Sequence, residues 1–158
     1  MARGDMRLLL PILLAISALP ARAEGLRAAF FPGDDACYMR IYGAAHLQAH
    51  PQQRVRRLSL ESDPAQSDPA TLIVTLKVEL RGESETYVAT GYCEGGARLY
   101  CGLEGDAGRF TLEPGKTGLL LRIDGAISFE GEQDFLTLSG ISGDDRLFLL
   151  PHIPVGCL

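Results

Sequence analysis

Residues 72–81 alternate without a break. Leu72, Val74, Leu76, Val78 and Leu80 fall on one side, and Ile73, Thr75, Lys77, Glu79 and Arg81 on the other. A period of two is what a strand with one buried face requires; a helix would scatter those five apolar side chains around its circumference. The theme returns at short intervals, and extended segments are expected at 37–42, 53–61, 86–93, 99–103, 109–112, 118–123, 126–129, 135–138 and 146–150. Between them lie Gly82, Gly105-Asp106, Glu113-Pro114-Gly115, Asp124-Gly125, Gly131 and Gly143-Asp144. Turn signals every ~8–12 residues mark an all-β sandwich or barrel. Connections this short force neighbouring strands to run antiparallel. The fold class expected is therefore an antiparallel β-sandwich or small β-barrel of about nine or ten strands.

Residues 44–50 are the one segment expected to be helical, a short helix near the mature N-terminus, stopped by Pro51. Residues 24–35 read as an irregular lead-in with a Pro32-Gly33 turn, and 62–69 as a polar loop marked by Pro64 and Pro69.

The first 23 residues have the composition of a cleavable secretory signal. Arg3 and Arg7 precede an apolar run at 8–19, interrupted only by Pro11 and Ser17, and Ala21 and Ala23 supply the small residues a signal peptidase reads. A membrane-spanning helix needs ~20 apolar residues, so this run is too short for a permanent anchor, and no later stretch is longer. The expected organisation is a signal peptide at 1–23 and a single disulfide-bonded β domain at 24–158. Its setting would be periplasmic or secreted, with no membrane span in the mature chain. The formal net charge of −5 becomes more negative once the arginine-rich leader is removed. That argues against nucleic acid and anionic membranes as partners.

Export also fixes how the four cysteines, Cys37, Cys93, Cys101 and Cys157, are understood. An even number in an oxidising compartment points to two disulfides. Gly95-Gly96 between Cys93 and Cys101 suits a hairpin that sets those two opposite each other, and Cys37 and Cys157 lie near the two mature ends. This favours Cys93–Cys101 with Cys37–Cys157, although four cysteines allow three pairings. No C-x-x-C spacing suggests a structural zinc site.

Three constellations suggest chemistry. His46 and His50 are four apart in the helical segment, which puts both rings on one face; with His152 or an acidic residue they could hold zinc or copper. Leu47 stands where the catalytic glutamate of H-E-x-x-H would be. Arg54, Arg56 and Arg57 form a basic cluster on an acidic chain. It would be a partner-binding patch, or a guard against edge-to-edge pairing if it flanks a sheet edge. Glu130, Glu132 and Asp134, and separately Asp144 and Asp145, are carboxylate clusters of the kind that bind calcium or sit solvated in turns. Gly115-Lys116-Thr117 lacks the upstream glycine of a phosphate loop, and Gly140-Ile141-Ser142-Gly143 lacks the last glycine of a nucleophile elbow. No catalytic or cofactor motif is complete.

Cys37, Arg40 and Tyr42, then Ala45-His46-Leu47 and His50-Pro51, resemble a family of exported proteins of Alphaproteobacteria that has no assigned activity. The likeness continues in Cys101-Gly102, Glu104 and Asp106, in Asp144-Asp145-Arg146 with Phe148, and in Cys157. It implies a Gram-negative periplasmic setting. Gly105 stands where that pattern often has a further cysteine, so the family's disulfide map does not transfer directly. The function expected is a non-enzymatic binding or interaction module for a small ligand or an envelope protein partner, including an enzyme inhibitor. The alternatives are a metal-binding protein using His46 and His50, and a small hydrolase whose site the sequence does not display.

Overall fold

In a computed structural model, which describes residues 25–157, nine strands form one antiparallel sheet that closes into a barrel. The elements in order are α1 (Leu26–Phe30), β1 (Cys37–Ile41), α2 (Ala44–Ala49), β2 (Val55–Ser62), β3 (Leu72–Leu80), β4 (Thr86–Gly95), β5 (Leu99–Leu103), β6 (Gly108–Pro114), β7 (Gly118–Glu130), β8 (Phe135–Ser139) and β9 (Leu147–Ile153). Strands β1 to β6 pair in sequence, β6 pairs with β7, β7 with β9, and β9 returns to β1. Eight strands thus close the barrel, and β8 is attached to the far half of β7 alone. The expected leader lies outside the described residues.

The alternation of β3 becomes the inner wall. Leu72, Val74, Leu76, Val78 and Leu80 are at most 3 % exposed, and their cross-strand partners continue the layers. One layer runs Leu72, Cys93, Cys101, Phe110 and Ile123 over five consecutive strands. Closure at eight strands leaves an interior just wide enough for side chains to fill. Gly91 is where that limit is met: a Cβ there would stand 3.0 Å from the Phe110 ring, so the absence of a side chain gives the ring its place. Both ends are stoppered. Phe30 and Phe31, in and just after α1, are buried at the end where Tyr38 Oη donates to the Phe30 carbonyl (2.6 Å). Leu47 of α2 is buried at the other, where Arg81 donates to the Leu47 carbonyl (3.4 Å).

Two local expectations are corrected. Residues 24–35 are not wholly irregular, because Leu26–Phe30 forms a helical turn. Its apolar members have a core to bury in, which local propensity cannot reveal. Residues 118–123 and 126–129 are one strand, not two, and Asp124-Gly125 is no hairpin turn. Gly125 takes φ +79°, and the register against β6 slips there, so the pair makes a bulge that bends β7 from one set of neighbours to another.

Cys93 and Cys101 are joined across β4 and β5 (Cα–Cα 4.0 Å), inside the barrel. Cys37 and Cys157 are joined at the seam where β1 meets β9 (Cα–Cα 5.5 Å). That seam has two register pairs, Cys37 with Ile153 and Tyr38 with His152, whereas β3 and β4 share eight. Pro151 is the next residue along β9, and with no N–H it cannot extend the ladder.

Candidate functional site

The end of the barrel closed by α2 carries the densest cluster of functional groups. Tyr42 follows β1, His46 and His50 lie four and eight residues later, and Pro51 prevents a further helical turn. The i, i+4 spacing puts the rings on one face, and they stack: Tyr42 on His46 at 4.7 Å and His46 on His50 at 4.4 Å between centroids. The Arg40 guanidinium covers Tyr42, 5.4 Å from its ring centre. Four planar groups therefore form one column, and the exposed face of His50 is its open end. Burial pushes the Tyr42 phenol up, Arg40 opposes this, and the Asp145 charge adds to the rise.

Gln53 fixes the orientation of His46. Its amide is 4 % exposed and donates to the Val55 carbonyl (3.0 Å), which turns its oxygen toward His46 Nε2 at 2.9 Å. Nε2 of His46 is then the donor to the Gln53 oxygen. From the 140–146 loop, Asp144 brings a carboxylate oxygen to 3.9 Å from His50 Nδ1. With Arg146 and Leu147 these residues line an open cleft of about 270 Å³.

Asp145 holds the cleft together. It is 5 % exposed and accepts the backbone N–H groups of Arg54 (2.7 Å) and Val55 (3.1 Å), tying the 140–146 loop to the start of β2. The sequence offered Asp144 and Asp145 as a carboxylate pair, with nothing local to separate their roles. Burial lifts the Asp145 carboxyl above the usual carboxylate range, and the two backbone N–H groups and the Arg54 charge pull the other way. The folded chain thus holds this proton more tightly than the unfolded chain. The stability contributed by this group is greatest below its unfolded value (~3.9) and falls as pH rises through its raised folded value. Urea unfolding of wild type and Asp145→Asn at pH values from about 4 to 7 checks this. The stability of wild type relative to the variant should decline with rising pH; a relative gain would show that the folded state favours the carboxylate.

The expected metal and patch residues are distributed as follows. His152 does not join His46 and His50. Its ring packs on Tyr38, and it lines a separate cleft with Asp34, Asp35 and Pro154. Stacked rings aim their in-plane nitrogens along parallel layers, so His46 and His50 could meet on one ion only if a ring turned. Among the described residues, no group of three or more His, Cys, Asp or Glu is placed to hold a metal. Ser142 directs its hydroxyl to Ser139 Oγ (2.9 Å). Arg54 has a different partner from Arg56 and Arg57. A register shift between Val55 and Arg57 sets Arg56 and Arg57 both against Glu79, with an Arg57 contact of 3.2 Å. Arg54 instead reaches the Thr137 carbonyl of β8 (3.3 Å).

Comparison of the chain with protein families, with curated proteins and with solved structures finds no match. The two disulfides suit an oxidising, non-cytoplasmic environment. No helix among the described residues is long and apolar enough to cross a membrane.

Proposed function

We propose that the domain is a non-enzymatic interaction module of the periplasm, and that it binds an envelope protein through the outside of the barrel beside α2. The side-chain-filled barrel carries this reading, because a lipocalin-like interior site would need the volume that Phe110, Phe30 and Phe31 occupy. Recognition is then left to the surface. At the α2 end the ring column is bordered by Leu147 (43 % exposed), with Ile41 (55 %) and Leu149 (38 %) on the outer faces of the adjoining strands. Aromatic and arginine groups around an apolar centre are the composition of interface hot spots. Inhibition of an envelope hydrolase is one form of this role, by analogy of size and setting. The disulfides, the leader-like N-terminus and the resemblance to exported alphaproteobacterial proteins support the periplasmic setting.

A photo-crosslinking residue at position 147, in the protein exported from its own leader, tests the proposal against the same residue at position 94. Strand β4 lies across the barrel from β9. One envelope protein should be captured from position 147 and not from 94, and Tyr42→Ala should weaken its binding in purified form by about 10-fold or more. Equal capture from both positions, or none from 147, would overturn the assignment.

A further inference from the structure

Among the described residues, strand β8 has a neighbour on one side only, in a sheet whose other strands are paired on both sides. Its hydrogen-bonding pattern shows which backbone groups face outward. Gly131 N–H donates to the Asp134 carbonyl and Gly140 N–H to the Gly125 carbonyl, so the bonded pairs of the β7–β8 ladder are those at 136 and 138. Phe135, Thr137 and Ser139 direct their N–H and C=O away from β7. The strand is exposed along this edge at Phe135 and Thr137, and none of its five residues is charged.

We propose that the open edge of β8 is a strand-addition surface for a second copy of this chain, held in check by Arg54. Two copies related by a two-fold axis at Thr137 would pair antiparallel, Thr137 with Thr137 and Phe135 with Ser139 of the other copy. Phe135, at the start of this edge, and Ile141, two residues beyond its end, are 76 % and 82 % exposed. The same two-fold sets each Phe135 opposite Ser139 of the other copy, at the end of the edge from which the exposed Ile141 follows. The arrangement is self-complementary, as a closed dimer requires. An uncharged strand also lets two acidic chains meet without like charges in register. Arg54 works against it. Its guanidinium lies on the Thr137 carbonyl at the axis, so pairing would bring two cations together. A charged side chain over an exposed edge is a known means of blunting it.

Sedimentation velocity of the 24–158 protein, its disulfides intact, over roughly 5–500 μM measures the equilibrium. Wild type should remain mainly monomeric, because a single short edge buries less than a stable interface needs. Arg54→Ala should tighten self-association at least ~10-fold. Adding Thr137→Pro should return the variant to monomer with an unchanged circular dichroism spectrum, because that N–H has no partner on β7. Adding Phe135→Ser should weaken the dimer without touching the backbone. An Arg54→Ala protein that stays monomeric throughout would overturn the proposal. So would a dimer that survives both second substitutions, or a wild type that associates as tightly as Arg54→Ala.

Discussion

Replacing Cys37 and Cys157 together with serine is expected to lower stability by about 5 kcal/mol in the chain-entropy account, enough to bring a domain of this size close to unfolding at growth temperature. The bond spans 120 residues of sequence, against 8 for Cys93–Cys101, whose loop term is only about 2.5 kcal/mol. The location adds to the difference. Cys37–Cys157 clamps the seam where the first and last strands meet, and that seam has two register pairs. Thermal unfolding of the double variant should show Tm lower by roughly 10–20 °C. Amide exchange should show β1 and β9 losing protection before β3 and β4. A variant that melts within a few degrees of wild type would mean that the core alone holds the barrel shut.

Asp145→Ala is the second large effect, at about 2–4 kcal/mol. The substitution leaves the N–H groups of Arg54 and Val55 without the acceptor they use, in a place where Val55 is fully buried. Burial disfavours the ionised carboxylate and offsets part of this loss at neutral pH, but two backbone N–H groups left without an acceptor in a buried place cost more than that relief returns. Asp145→Asn retains one acceptor oxygen and should cost about half as much. Chemical denaturation at neutral pH measures both. Asp144→Ala is the control: Asp144 is about a third exposed and its ion-pair partner is the exposed His50 at 3.9 Å, so its loss should cost well under 1 kcal/mol. Equal losses at 144 and 145 would remove the distinction drawn between them.

Much of the sheet was legible because strand alternation is local. The pattern at 72–81 stated which side chains face inward before any partner was known, and turn residues marked most strand ends. The helical segment at 44–50 was visible through its spacing and Pro51. The Cys93–Cys101 hairpin was visible through its glycines. Other features depend on partners far away in sequence. Val55, Leu58 and Leu60 do not keep one parity, and only the bulge against Glu79 explains how all three are buried while Arg56 and Arg57 both face that glutamate. Asp124-Gly125 has the composition of a turn, and it becomes a bend because β6 and β8 hold β7 on either side of it.

The sequence by itself determined the class of fold, the inward face of its strands and the chemistry of its cysteines, since each follows from near neighbours and from the solvent the chain must avoid. Tertiary structure alone decided that the sheet closes, that its ends are plugged, that Asp145 is a buried tie while Asp144 is not, and that His152 stands apart from His46 and His50. Those outcomes depend on register between strands up to about a hundred residues apart, and register is set by which side chains fit together once the barrel has formed.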